Sequence, residues 1–357
     1  MGFEDFLGNP AAVSSVRKML AADAASGSLL FTGPDGVGKK TLAMMMAKAL
    51  ICVRLKDDFC GECPRCLKAE EMLNLSRQDL ARRREMKDAS RRAEGLVYFD
   101  VQLIEPITRY ILIDQIRQLR RVAYARPFEL PRRIFIVDQA QAIHWQAVDL
   151  LLKVMEEPPP STTLILVCPN PRELRPTLRS RCRRVPFRPV DDALIEDLLR
   201  HEKRISAAQL PLAVRVAGGS VAMAKGLDLA EFERRRKPWV DFLNAVTSKP
   251  ARSMAPPDWK SLFDSAKALS ENRNDLEGVL ALGYSLLSDC LQLLENPSGA
   301  RLTHFDLEAR LTAWAAKLGL EGIERLKTGL DDANRLEIRN VNQQLGWEAL
   351  ATELLAP

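Results

Sequence analysis

The chain is most constrained by Leu29-Leu30-Phe31-Thr32, which runs directly into Gly33-Pro34-Asp35-Gly36-Val37-Gly38-Lys39. An apolar strand pattern, a glycine-rich turn and a helix opening at the lysine together make a phosphate loop. The glycines let backbone N–H groups converge on an anion at the helix N-terminus, and the lysine reaches the outer phosphates. Gly33, Gly36, Gly38 and Lys39 are therefore the candidate phosphate-contacting residues. Up to about residue 189, short apolar runs alternate with helical patterns, as in an α/β domain. Strands are predicted at Leu29–Thr32, Val97–Ile104, Ile134–Asp138 and Thr163–Cys168. Helices are predicted at Thr41–Val53, Ile113–Ala123 and Trp145–Met155, the last stopped by Pro158-Pro159-Pro160.

The loop carries a defect. A working nucleotide site has Ser or Thr after the lysine, whose hydroxyl ligates Mg²⁺. Here Lys40 stands there, and an ammonium repels a cation instead of ligating it. Thr41 is a poor substitute, because one step along a helix turns a side chain by about 100°. A second defect follows the strand Arg133-Ile134-Phe135-Ile136-Val137, which ends in Asp138 and so places a carboxylate near the metal. The neighbouring position, where a glutamate would polarise the attacking water, is Gln139, which cannot accept a proton as a carboxylate does. The loop can exist as a shape without being a working ATP site. Intrinsic ATP hydrolysis is expected to be weak or absent.

Cys52, Cys60, Cys63 and Cys66 lie within fifteen residues. Two-residue spacers let neighbouring thiolates grip one ion, and four sulfurs suit tetrahedral Zn²⁺ with no open position, a structural site and not a catalytic one. An iron–sulfur cluster, which also takes four cysteines, and redox-active thiols are the alternatives. Cys168, Cys182 and Cys290 are scattered and read as small buried hydrophobes. An odd total of seven cysteines in a long chain argues against a disulfide framework.

With 52 basic and 47 acidic residues, the net charge of +5 permits nucleic-acid binding without arguing for it. No apolar run approaches the roughly 18 residues of a membrane span, and the acidic start lacks a secretory pattern, so a cytoplasmic protein is expected. The segment 70–94 holds seven basic and six acidic residues with few large apolar ones, and reads as a solvated helix or mobile insertion. After Asp191 strand signals vanish. Short helices are predicted at Asp191–Leu199 and Leu210–Val216, and longer ones after Pro238.

Several blocks carry a family resemblance: Phe3-Glu4-Asp5-Phe6-Leu7-Gly8-Asn9, the phosphate loop, the four cysteines after it, Ile113-Asp114-Gln115-Ile116-Arg117, and Arg126-Pro127-Phe128-Glu129. So do Leu151-Leu152-Lys153-Val154-Met155-Glu156-Glu157-Pro158-Pro159, Ser180-Arg181-Cys182, and Asn340-Val341-Asn342-Gln343-Gln344-Leu345 near the end. Their order resembles the clamp-loader branch of the AAA+ ATPases, and most closely the delta-prime subunits of bacterial DNA polymerase III. The resemblance implies an AAA+ α/β domain with a parallel sheet over residues 1–189, holding a zinc module at 52–66 and a charged insertion at 70–94. It further implies a helical lid over 190–236 and an all-α collar over 237–357 that joins five subunits into a ring. By the same resemblance the chain is a stator that does not hydrolyse ATP. Arg181 would enter the ATP site of an adjacent motor subunit as an arginine finger. The partners implied are the motor and delta subunits, and through them the sliding clamp and primed DNA, with no membrane partner. Where nucleotide-using relatives carry a lid arginine after a Gly-Ser turn, Gly219-Ser220-Val221-Ala222-Met223 puts Met223, a third departure. The alternatives are an ATP-hydrolysing motor subunit, against which Lys40, Gln139 and Met223 all count, and a zinc-dependent nucleic-acid-binding regulator, for which the cysteine module is small.

Overall fold

The computed structural model describes residues 2–23, 27–202, 205–248, 259–271, 275–337 and 343–355. The chain divides into two compact units, Met1–Ile195 with Gly219–Met223, and Glu196–Gly218 with Ala224–Pro357.

The first unit is built on a five-stranded sheet of β1 (Gly27–Thr32), β2 (Val101–Ile104), β3 (Arg133–Val137), β4 (Thr162–Cys168) and β5 (Arg183–Pro186), in the order β2-β3-β4-β1-β5. Every pairing is parallel, with Leu30 opposite Leu166 and Ile136 opposite Ile165. β1 to β4 are almost continuously apolar because a parallel sheet is covered on both faces. One face packs Val16, Leu42, Met46 and Leu73 from α1 (Pro10–Ala21), α2 (Lys39–Ala49) and α3 (Pro64–Glu85). The other packs Ile116, Leu119, Leu151 and Leu178 from α4 (Ile113–Ala123), α5 (Val148–Glu156) and α6 (Pro176–Arg179).

Three expectations change. The predicted strand at 97–104 is cut to Val101–Ile104. Asp100 is withdrawn from it because its buried carboxylate accepts the backbone N–H groups of Phe128, Glu129 and Leu130 and pairs with Arg133 at 3.1 Å. β5 gave no strand signal: Arg183-Arg184-Val185-Pro186 buries only Val185, as a short edge strand can.

The charged segment is the third. Its first two-thirds form α3, which packs Met72, Leu73 and Leu80 inward over β2. The Ser76 hydroxyl donates to Leu103 O (2.8 Å) and accepts from Leu103 N (3.1 Å), satisfying backbone groups that an edge strand leaves open. Arg83, 2% exposed, donates to the carbonyls of Arg92, Glu94 and Gly95 and pairs with Asp79. The segment is thus a helix over 70–85, as one of the two expectations had it, but with one face pinned to the sheet edge and only the others solvated.

The regular elements of the second unit are all helices among its described residues, with α7 (Asp192–Glu202) and α9 (Val221–Gly226) crossing the division. Within it lie α8 (Leu210–Ala217), α10 (Leu229–Thr247), α11 (Trp259–Glu271), α12 (Leu276–Glu295), α13 (Glu308–Glu337) and α14 (Gln343–Leu355). Asp228 caps α10 by accepting from Ala230 N and Glu231 N, and α13 kinks at Gly319, whose φ is +61°. The core centres on Trp239, Trp314 and Trp347, all buried; Trp239 meets Trp347 edge to face at 5.3 Å and donates its indole N–H to Val279 O. Asn340, Val341 and Asn342 of the family-like terminal block lie outside the described residues. Among the described residues no helix is long and apolar enough to cross a membrane.

Candidate functional site

The phosphate loop closes between the end of β1 and the start of α2, at the C-terminal edge of the sheet where ligands of open α/β folds bind. Its glycines are required by space as well as by angle. A Cβ at Gly33 would fall 2.4 Å from the Phe187 carbonyl oxygen, and one at Gly36 (φ +74°) 1.9 Å from the Ser220 hydroxyl. Gly38 is the N-cap of α2 with φ +95°. Ala222 N donates to Gly36 O at 3.1 Å, so the 219–223 segment lies directly against the loop, with Met223 about half exposed at its end. Lys39 is buried and turned onto the loop itself, with its Nζ 2.5 Å from both Gly33 O and Pro34 O and 3.3 Å from Asp35 Oδ1.

Lys40 points the other way. Its Nζ lies 2.5 Å from Glu105 Oε1 and 3.0 Å from Asp138 Oδ2, while Thr41 is exposed. Glu105 follows β2 and Asp138 follows β3, so two neighbouring strand ends deliver two carboxylates to one point. The second oxygen of Glu105 accepts from Arg84 of α3 at 2.8 Å. Burial works against the Lys40 charge, but the Glu105 hydrogen bond and the Asp138 charge outweigh it and raise its pKa. Glu105 is likewise pushed up by burial, yet Lys40 and Arg84 pull its pKa below the ordinary value. The carboxylates a metal would need are thus neutralised by ammonium and guanidinium groups of the same chain. Mg²⁺ does not fit this donor set. Gln139 sits beside Asp138 in the left-handed region at φ +53°, its side chain exposed.

The four cysteines form a separate site. Their sulfurs all lie within 4.8 Å of one another, and Cys52 Sγ is 3.8 Å from Cys60 Sγ, the edge expected for a tetrahedron with metal–sulfur bonds of about 2.3 Å. Cys63 is the N-cap of α3 and Cys66 lies in its first turn, so the helix start sets that pair's spacing. Burial disfavours the Cys63 thiolate, but backbone N–H groups of Val53 and Cys66 outweigh it and hold the thiol at about 6. Cys66 is pushed up to about 12 by burial and by the neighbouring cysteines, a repulsion that a shared cation relieves. The residues fit a metal ion. The remaining cysteines are free as well, and burial lifts Cys168 to about 11 and Cys182 and Cys290 to about 12.

Arg181 lies in the turn between α6 and β5, the latter an edge strand. Its guanidinium is 2.6 Å from Glu156 Oε1 and donates to Thr177 O at 3.0 Å. It shares no contact with Lys39, Lys40 or Asp138, so the structure gathers the loop lysines, Asp138 and Met223's segment into one region and leaves Arg181 and the cysteines apart from it.

A model of the family described as DNA polymerase III, delta subunit, matches residues 8–191, more than half of the chain. The chain belongs to that family. Its place in the polymerase III clamp-loader group is also seen in curated relatives. It is 28% identical over 224 residues to the DNA polymerase III subunit gamma/tau of Mycobacterium tuberculosis, covering 61% of this chain and 35% of the relative. It is 26% identical over 190 residues to the DNA polymerase III subunit delta' of Bacillus subtilis, covering 53% and 50%. The match therefore spans a third to a half of the relatives' own length. A solved DNA polymerase III, gamma subunit-related protein from Thermotoga maritima aligns with 96% of this chain and 98% of its own at 16% identity, with a TM-score of 0.43.

Glu105 and Arg84 were not among the residues the sequence singled out. The signal for Glu105 was present: Val101-Gln102-Leu103-Ile104-Glu105 is an apolar strand ending in an acid, the same pattern that marked Asp138. Nothing local marks Arg84 among its basic neighbours.

Proposed function

We propose that this chain is a delta-prime-type stator of a DNA polymerase III clamp loader, which helps load the sliding clamp onto primed DNA without hydrolysing ATP itself. The observation that carries the reading is the Lys40 ammonium bound between Glu105 and Asp138. A magnesium–nucleotide complex would have to break both pairs and then approach a fixed positive charge. Lys39, whose ammonium is committed to the loop's own carbonyls, supports the same conclusion. The motor-subunit alternative needs those carboxylates free.

In this reading residues 1–189 are the AAA+ domain, 190–236 the lid and 237–357 the collar of a five-membered ring with motor and delta subunits. Cys52, Cys60, Cys63 and Cys66 hold Zn²⁺ in a closed structural site that ties the end of α2 to the start of α3. Arg181 acts in trans: its loop is on an edge of the sheet, and its Glu156 pair is half exposed, weak enough to be exchanged for a neighbour's phosphoryl group. The test is ATPase activity of the purified chain and of the reconstituted complex. The expected result is no turnover by the chain alone. Robust turnover abolished by Lys39→Ala would overturn the proposal.

A further inference from the structure

A cavity of about 400 Å³ opens in the first unit between the start of α5 and the loop before α6. Its floor is apolar, from Ile143, Val148, Leu174 and Leu178. Its rim is aromatic: Tyr110 and Trp145 flank His144, whose ring is 5.8 Å from each, edge to face with Tyr110 and tilted against Trp145. Trp145 is 61% exposed and Tyr110 44%, so both rings stand open beside the apolar floor. Gln141 lines the cavity, and its Oε1 is buried with no hydrogen-bond partner. A buried acceptor left open costs stability unless something donates to it. Two arginines stand by. Arg109 lies over the Tyr110 ring at 5.9 Å and Arg175 is part of the rim, and neither has an acidic partner among the described residues. Glu173 supplies the rim's single carboxylate.

A flat heterocycle suits this combination. It needs an apolar slot, an aromatic face to stack on, a buried acceptor for a ring or exocyclic N–H, and a cation for an attached phosphate. A duplex offers no such group, since its bases are stacked and paired. We propose that this cavity takes one unstacked base of a single-stranded nucleic acid, with Trp145 as the stacking platform, the Gln141 amide turning to offer its Oε1 to the base, and Arg109 and Arg175 against the flanking phosphates. Stacking on an exposed ring tolerates any base, whereas the Gln141 acceptor favours one with an amino group, adenine among them. This assignment does not depend on the stator reading, because it uses none of the phosphate-loop residues or Arg181.

The probe is a fluorescently labelled twelve-residue deoxyadenylate strand, titrated into the full-length chain at fixed salt. Binding is expected to quench tryptophan emission, and the quench should vanish in Trp145→Phe while affinity is largely kept. Trp145→Ala and Gln141→Leu should each weaken binding at least about fivefold, the low end for one base–aromatic stack. A strand with abasic sites should bind the unaltered protein no better than deoxyadenylate binds Trp145→Ala. Trp145 is exposed, so its removal leaves the fold intact. Equal affinity for abasic and deoxyadenylate strands, or for the paired duplex with the same quench, would overturn the proposal. So would binding of free AMP with an affinity equal to that of the strand, which would make the cavity a mononucleotide site.

Discussion

At the residue scale the decisive side chain is Lys40. The sequence marks it as a wrong residue for metal binding, but not what it does instead. That needed the third dimension: Glu105 lies 65 residues away and only the parallel pairing of β2 with β3 brings its carboxylate beside Asp138. Removing the ammonium leaves two carboxylates facing one another. Lys40→Ala is therefore expected to lose about 1 kcal/mol of stability in urea unfolding, the small size reflecting a side chain that is 40% exposed. It should also gain affinity for Mn²⁺, read by electron paramagnetic resonance, where the unaltered protein is expected to bind none at this point. Unchanged Mn²⁺ binding in the variant would mean that the lysine is not what keeps divalent metal out. Arg181 calls for a different experiment. Its ion pair with Glu156 is exposed, so Arg181→Ala should leave stability within about 1 kcal/mol of the original. In a reconstituted complex the same change should slow ATP hydrolysis about tenfold or more if the guanidinium serves a neighbour's site. An unchanged rate would dismiss the trans role.

At the element scale, α3 carries two jobs that the sequence showed unequally. The cysteine spacing was legible because Cys63-x2-Cys66 at a helix start is a ligand geometry in itself. The rest of α3 was not. Its inward positions Met72, Leu73, Ser76, Leu80 and Arg83 keep a helical period, yet two are polar, so the segment reads as solvated. Ser76 is inward because the open edge of β2 needs a hydroxyl, and Arg83 because three carbonyls and Asp79 converge on it. Arg83→Ala would leave those three buried carbonyls without their donor, while Asp79 keeps only Arg82. The expected loss is roughly 3 kcal/mol, measured by urea unfolding. Cys63→Ser acts at the other end of the helix. It should abolish metal content in elemental analysis and lower the thermal midpoint of the first unit, and a chelator should do the same to the unaltered protein. Absence of bound metal from freshly purified protein would remove the basis for the site.

At the scale of the whole molecule, the sequence made the α/β character of the first unit and the all-helical character of the second plain, because hydrophobic period and the loss of strand signals are local properties. What it could not show is the polar interior of the second unit. His304 is fully buried, stacked on Phe232, within 3.1 Å of Ser285 Oγ and 3.4 Å of Arg236, which in turn grips Asp306 with both nitrogens. Burial first, then the Arg236 charge, hold its pKa down to about 4, with Asp306 pulling weakly the other way. The unfolded chain binds a proton at this histidine near pH 6.5, the folded one not until about 4. Stability from neutral His304 is therefore complete above pH 6.5 and is lost as pH falls toward 4. Asp289, which accepts from Thr303 N and His304 N, has its pKa raised by burial and so opposes this trend on acidification. A His304→Gln comparison separates the two, since Asp289 is present in both proteins. In a Trp145→Phe background every remaining tryptophan, Trp239, Trp259, Trp314 and Trp347, belongs to this unit, so indole emission there follows its unfolding. Between pH 7.5 and pH 5 the protein that keeps His304 should lose about 2 kcal/mol more than the variant, about 1.4 kcal/mol for each pH unit below 6.5. Equal losses in the two proteins would mean that His304 is already protonated in the fold, and that the Arg236–Asp306 pair tolerates a second buried cation.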